Sequence, residues 1–154
     1  MKALIETFYT AFQNRDAEGM ISCYHPDIIF IDPAFGELKG EEAMAMWRML
    51  CRNADDLRVE FSAITASLKK GSAHWEAWYT FSRTGKKVHN IIEAEFEFKN
   101  SKIIKHIDTF NLHKWASQAM GWKGKLFGGT AFFRNKMNRQ THKMLVDFME
   151  KGTA

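Results

Sequence analysis

Two short segments of the sequence carry side chains that could transfer protons. The first is "IIFIDPAFG", in which an apolar run ends in Asp32 just before Pro33. The second is "IIKHIDTF", in which His106 and Asp108 are two residues apart and therefore share one face of a strand. A carboxyl group that faces an apolar interior has a raised pKa, which suits it to proton exchange near neutral pH. Asp32, His106 and Asp108 are therefore candidate catalytic residues.

Each candidate also has a purely structural interpretation. Asp32 can accept hydrogen bonds from the turn around Pro33, and His106 with Asp108 can form a hydrogen-bonded pair in the core. The same side chains, together with His113, could hold a metal ion, but no HxxxH or CxxC spacing supports this. We expect neither a metal nor another cofactor.

Aromatic side chains are plentiful, with 13 Phe, 5 Trp and 3 Tyr. Aromatic residues at core periodicity usually fill a core, but an apolar cavity with a few polar groups is also the usual form of a ligand site. Five of them lie in segments that could surround Asp32, and we take these as candidate substrate-binding residues: Phe30, Trp47, Trp75, Tyr79 and Phe110.

The chain of 154 residues and net charge +4 is long enough for one domain with a real core. Its positive charge is concentrated in residues 114–154, which hold 8 basic and 2 acidic residues. A solvated helix face explains this better than a nucleic-acid or membrane partner, so we expect neither.

Glu6 interrupts the apolar N-terminus, and Cys23 and Cys51 are isolated. We therefore expect a cytoplasmic protein without a signal peptide.

Hydrophobic periodicity predicts the order of the elements. Helices are predicted at 2–14, through Cys23 with Asp16 as the cap, after a turn that ends at Gly40, at 113–121 and at 130–151, with a glycine-rich loop between the last two. Strands are predicted at 28–32, 57–68, 73–83, 87–98 and 102–112, the last four forming an antiparallel meander. This order predicts an α+β fold, with residues 1–121 as the main domain and 122–154 as its C-terminal helical extension. The apolar side of the extension is expected to pack over a cavity mouth or onto a partner subunit.

Three segments resemble the nuclear transport factor 2-like superfamily, which includes ketosteroid isomerase, limonene epoxide hydrolase and the SnoaL-type polyketide cyclases. They are "NRDAEGMISCYHPDIIFIDPAFGELKG", "YTFSRTGKKVHNIIEAEFEFKNSKI" and "IIKHIDTFNLHKWASQAMG". The resemblance covers about residues 3–121 and is greatest to a SnoaL-like bacterial subgroup labelled ketosteroid isomerase-related. It implies a cone-shaped, curved, mostly antiparallel sheet with the N-terminal helices on its concave face. It also implies that His106 and Asp108 point into the cone.

The resemblance carries over to only some of the functional residues. Asp32 matches the general base of the isomerase, but Phe8 and Ala94 stand where that enzyme has its tyrosine and protonated aspartic acid. Tyr9, next to Phe8, joins the candidate substrate-binding residues. Asp108 matches an acid of the epoxide hydrolase, whereas that enzyme's arginine and other aspartate correspond here to two residues that cannot replace them, Trp75 and Ala77.

These matches imply a cofactor-free enzyme that transfers protons on a small apolar carbonyl compound, by isomerase, cyclase, hydratase or hydrolase chemistry. Asp32 is the expected base, and Asp108 and His106 are its expected partners. The alternative is a non-catalytic ligand-binding or dimerisation module of the same fold. In either case we expect a small apolar ligand and a homodimer formed through the convex face of the sheet.

Overall fold

The computed structural model describes residues 1–152 and has an α+β architecture. The helices of this range are α1 (Lys2–Gln13), α2 (Ala17–Ser22), α3 (Glu41–Asn53), α4 (Leu112–Met120), α5 (Trp122–Phe127) and α6 (Ala131–Gly152). The strands are β1 (Tyr24–Asp32), β2 (Gly36–Lys39), β3 (Arg58–Ala66), β4 (Lys70–Phe81), β5 (Lys86–Lys99) and β6 (Lys102–Thr109).

All six strands form one curved, mostly antiparallel sheet with the order β2-β1-β6-β5-β4-β3. Strands β3 to β6 form the predicted meander, because short turns join strands that alternate in hydrophobicity. The exception to the antiparallel pattern is β1, which runs parallel to β6 and forms a hairpin with β2. The cone-shaped α+β fold expected from the sequence is confirmed.

The N-terminal helices begin where the sequence indicates and cover the concave face. Asp16 caps α2 as predicted, accepting a hydrogen bond from the Gly19 amide at 2.9 Å. Helix α1 buries Phe8 and Phe12, which are four residues apart and so lie on one side of the helix. The ring of Phe12 is 5.5 Å from that of Trp75 on β4, which fixes α1 against the sheet.

Several strand boundaries differ from the prediction, and the differences at β1, β2 and β6 bear on the site. Strand β1 begins at Tyr24 rather than at residue 28, because Tyr24 already pairs with Ile103 of β6. Strand β2 lies in a segment that was predicted to be a turn, and Gly36, with φ of 72°, supplies the sharp reversal that allows it to pair with β1. Strand β6 ends at Thr109, and Asn111 then caps α4.

The predicted glycine-rich loop at 122–129 is wrong, because its first six residues form helix α5. A Cβ atom placed on Gly124 would be 1.8 Å from the carbonyl oxygen of Ala116, and one on Gly128 would be 2.6 Å from the Cβ of Ala116. These glycines therefore allow α5 to pack directly against α4. His113 of α4 adds a hydrogen bond to the carbonyl oxygen of Lys125 at 2.7 Å.

The inward and outward faces of β5 and β6 decide where the polar groups lie. The exposed glutamates of β5, Glu93, Glu95 and Glu97, point outward. On β6, His106 and Asp108 point inward and are buried. Ile104 does not share their inward face as the alternation predicts, since the β5–β6 register shifts there and Ile103 takes the buried position.

Candidate functional site

A cavity of about 780 Å³ lies between the concave face of the sheet, helix α3 and the C-terminal helices. Its closed end is formed by three buried aromatic side chains, Phe30, Trp47 and Trp75. Tyr79 and Phe110 are partly buried and line its wall further out. The structure thus brings five of the six candidate substrate-binding residues to one apolar cavity, which is large enough for a small organic molecule.

Asp32 lies in the wall of this cavity, at the end of β1. Its Oδ1 atom accepts hydrogen bonds from the amides of Ala34 and Phe35, at 2.9 and 2.6 Å. Within the described part of the chain, Oδ2 makes no hydrogen bond. The turn therefore fixes the carboxyl group through one oxygen and leaves the other free to meet a ligand.

The pKa of the Asp32 carboxyl group is raised to about 7, mainly because burial in apolar surroundings disfavours its charged form. The two amide hydrogen bonds oppose this rise, and the negative charge of Asp108 adds to it. A carboxyl group with this pKa is present in both protonation states near neutral pH. It can therefore accept or return a proton there.

The sheet register explains why Asp32 and Asp108 are neighbours. Phe30 of β1 pairs with His106 of β6 in parallel register, so the next inward residues of the two strands are Asp32 and Asp108. Both carboxyl groups line the cavity. Asp108 lies deeper and is almost wholly buried.

Asp108 is held by two donors on the buried side of the cavity wall. Its Oδ1 atom is 3.1 Å from Nε1 of Trp75 and 3.0 Å from Nε2 of His106. On the other side of the imidazole, His106 Nδ1 is 2.8 Å from the Tyr24 hydroxyl, which is 2.8 Å from Nε1 of Trp47. These contacts form one continuous chain of hydrogen bonds through the core.

The indole N–H of Trp47 can only donate, so the Tyr24 oxygen accepts from it. In the arrangement that satisfies every group with a neutral imidazole and a carboxylate, the Tyr24 proton is donated to Nδ1 of His106. The proton of the neutral imidazole is then on Nε2 and is donated to Asp108. All the hydrogen bonds are satisfied with Asp108 as a carboxylate and His106 as a neutral ring.

Two of the predicted site residues do not reach the cavity. His106 is fully buried behind the wall, because Tyr24 and Asp108 occupy both of its ring nitrogens and four aromatic rings surround it. Tyr9 is fully buried behind Trp75, with their ring centres 5.9 Å apart. The Tyr9 hydroxyl is the one buried side-chain polar atom in residues 1–152 without a hydrogen-bond partner.

Two polar side chains of the wall were not among the sequence candidates for chemistry. The Tyr79 hydroxyl, predicted only to contact substrate, accepts a hydrogen bond from Nε1 of Trp115 at 2.6 Å and keeps its own proton free to donate. Burial raises the pKa of Tyr79, and the charge of Asp32 adds to this, so the donor form is maintained. Asn90 of β5 supplies an amide on the same wall. Neither role leaves a local sequence signal.

Helix α6 closes one side of the cavity. Its Met137 and Met144 side chains line the cavity, and Leu145 is buried in the main core. The Thr141 hydroxyl donates a hydrogen bond to the carbonyl oxygen of Ala34 at 2.9 Å, two residues after Asp32. In this chain, then, the apolar side of the C-terminal extension packs over the cavity mouth.

A second polar cluster lies on the convex face, away from the cavity. Glu76 bridges His74 and His89, whose Nε2 atoms are 3.0 and 2.5 Å from its two carboxylate oxygens. Trp78 stacks on His89 with ring centres 4.5 Å apart, and Arg58 lies 4.0 Å above Trp78. Glu76 and, second to it, Glu93 raise the pKa of His74. These side chains stabilise pairing of β3, β4 and β5.

The described residues contain no group of three or more His, Cys, Asp or Glu side chains that could hold a metal ion. Within the same range, no helix is both long and apolar enough to cross a membrane.

Comparison with solved structures places the chain in the nuclear transport factor 2-like fold. An NTF2-like protein of unknown function from Burkholderia pseudomallei is 18% identical, with a TM-score of 0.67 over 76% of this chain and 95% of that one. An LEH-like epoxide hydrolase from M. tuberculosis is 18% identical, with a TM-score of 0.62 over 82% and 89%. TerC co-crystallised with polyporic acid is 17% identical, with a TM-score of 0.65 over 77% and 96%.

The sequence itself identifies the family. Residues 5–106 match the model of the SnoaL-like domain, so the chain belongs to the SnoaL-like family. Comparison with curated proteins finds no match. The solved structures that share this fold include a small-molecule enzyme, the LEH-like epoxide hydrolase.

Proposed function

We propose that this protein is a cofactor-free enzyme that transfers protons on a small, mostly apolar carbonyl compound. The observation that carries the proposal is Asp32, whose carboxyl group has one free oxygen in the wall of an apolar cavity and a pKa raised to about 7. In its ionised form Asp32 removes a proton from the carbon next to the carbonyl. In its protonated form it returns that proton to a different atom, which is an isomerisation. In a cyclisation the enolate carbon instead attacks a second carbonyl, and Asp32 gives its proton to the alkoxide oxygen that forms there.

The negative charge that develops on the substrate oxygen needs a donor, and Tyr79 supplies it. Its hydroxyl proton is free because Trp115 already occupies the oxygen as a donor. A neutral donor in an apolar wall stabilises an enolate more strongly than water does. Asn90 offers a second donor on the same wall.

Asp108 and His106 act on Asp32 rather than on the substrate. The charge of Asp108 raises the pKa of Asp32 and so makes it a stronger base. His106 is a positioning residue, because its hydrogen bond holds Asp108 in place from behind the wall.

Hydrogen exchange on a simple ketone tests the proposal without knowledge of the natural substrate. The α-protons of 2-tetralone are followed by NMR in deuterated buffer, with the wild type, Asp32→Asn and the matched control Asp147→Asn, an exposed aspartate of α6 that does not line the cavity. The wild type and Asp147→Asn should accelerate exchange about 10²- to 10⁴-fold more than Asp32→Asn does. Exchange by Asp32→Asn at the wild-type rate would overturn the assignment of Asp32 as the base.

The alternative function is a ligand-binding module. It is favoured by Phe8 and Ala94, which stand where ketosteroid isomerase has its tyrosine and protonated aspartic acid. Quenching of tryptophan fluorescence by 2-tetralone with no exchange above the buffer rate would support it. The homodimer formed through the convex face and the cytoplasmic location stay predictions. Light scattering coupled to size exclusion tests the first.

A further inference from the structure

Side chains of opposite charge line the inner wall and the mouth of the cavity. Asp108 is almost wholly buried in the inner wall, and Asp32 is partly buried beside it. Three exposed basic side chains line its mouth, and they come from separate elements: Arg83 from the β4–β5 turn, Lys123 from α5 and Lys136 from α6. Three cations that converge on one opening from different parts of the chain form a positive rim.

No carboxylate of the described chain neutralises this rim. Arg83, Lys123 and Lys136 make no ion pair or side-chain hydrogen bond within residues 1–152, and Lys123 lies 5.7 Å from the centre of the exposed Trp122 ring. One carboxylate does lie at the mouth, that of Asp56. It accepts hydrogen bonds from the amide and hydroxyl of Thr80 and from Lys87, which hold its pKa down to about 2. The three rim cations therefore remain available to a ligand.

We propose that the ligand of this cavity is amphipathic, with an apolar body that carries the carbonyl group and one acidic group, a carboxylate, sulfate or phosphate, at the other end. The rim cations bind the acidic group at the mouth. The negative charge of the buried Asp108 repels it from the inner wall. The two effects fix one orientation, in which the apolar body enters first and meets Asp32.

The carbonyl group of this ligand is the one part that rests on the proposed function. The acidic group is inferred from the rim alone, and binding measures it without any turnover. Failure of one proposal is therefore distinguishable from failure of the other.

A pair of fluorescent probes with the same apolar body tests the rim. 4-(1-Pyrenyl)butanoate carries a carboxylate, and 4-(1-pyrenyl)butanol is its neutral analogue. Trp47, Trp75 and Trp115 line the cavity, so energy transfer from tryptophan to pyrene reports binding inside it. The wild type should bind the acid about tenfold more tightly than the alcohol in dilute buffer, because three exposed cations each add a small factor. Salt at about 0.5 M should reduce this preference.

Two variants with the same change of net charge separate the rim from the general charge of the protein. The rim variant replaces the three rim cations with glutamine. The control variant replaces three exposed cations of α5 and α6 that do not line the cavity: Lys125→Gln, Arg134→Gln and Lys143→Gln. The rim variant should bind acid and alcohol equally and keep the wild-type affinity for the alcohol. The control should keep the preference for the acid.

Two results would overturn the proposal. One is equal affinity of the wild type for the acid and the alcohol. The other is a loss of preference in the control variant as large as in the rim variant. The preference for the acid is measured by binding alone, so it does not depend on whether Asp32 transfers protons.

Discussion

Replacing Asp32 with asparagine should make the protein more stable above neutral pH and leave its stability near pH 4 unchanged. In the folded state the Asp32 carboxyl group has a pKa of about 7, against an ordinary value of 3.8. Between these values it is protonated when folded and ionised when unfolded. The contribution of Asp32 to the free energy of unfolding therefore falls as pH rises through this window and is constant above about pH 7.

The size of this effect follows from the pKa difference. Three pKa units correspond to about 4 kcal/mol at 1.36 kcal/mol per unit. We expect about 2–3 kcal/mol, because Asp32 is not fully buried and cavity water reduces the penalty. Asparagine removes the ionisable group and keeps the oxygen that accepts from Ala34 and Phe35. At about pH 8 the free energy of unfolding of Asp32→Asn should thus exceed that of the wild type by about 2–3 kcal/mol.

Urea unfolding at about pH 4, 6 and 8 measures the difference. The control is Asp56→Asn, since the pKa of Asp56 is shifted in the opposite direction, to about 2. That variant should gain no stability at high pH. If the difference between Asp32→Asn and the wild type does not change with pH, the carboxyl group is not desolvated in the folded protein and the reasoning is refuted.

Three further substitutions test other parts of the structure. Tyr79→Phe removes the proposed enolate donor and should slow ketone exchange about 10²-fold while tryptophan quenching shows unchanged binding; unchanged exchange would exclude that role. His106→Ala removes a buried partner of Asp108 and should lower the free energy of unfolding by about 2–4 kcal/mol in urea, and a loss below 1 kcal/mol would contradict the hydrogen-bond chain. Gly124→Ala should lower the melting temperature because its Cβ has no space beside α4, whereas Gly152→Ala, with nothing within 4 Å, should not; equal melting temperatures would refute close packing of α5.

The sequence predicted the parts of the fold that depend on local patterns. The strands of the meander alternate apolar and polar residues and are joined by short turns, so each was located to within a few residues. The α2 cap was predicted for the same reason, because Asp16 and Gly19 are close in the chain. The parallel pairing of β1 with β6 has no local signal, since it joins segments about 80 residues apart. Helix α5 was missed because its glycines, which indicate a loop, instead allow contact with Ala116.

The candidate site was predicted in the same uneven way. Asp32 and Asp108 could be placed on the inward face from alternation and resemblance. The burial of His106 could not, because its partner Tyr24 lies 82 residues away in the chain. The free proton of Tyr79 depends on Trp115, 36 residues away, and the closure of the cavity by α6 depends on packing that helical periodicity cannot identify.

Titration of the Asp32 carboxyl carbon by ¹³C NMR is the most direct test of the central claim, that an apolar cavity converts this carboxyl group into a base for neutral pH. Asp32→Asn identifies its resonance by removing it. We predict a midpoint near pH 7 in the free protein. A midpoint near the ordinary value of about 4 would contradict the claim, because Asp32 would then be a solvated turn residue and too weak a base for the proposed chemistry.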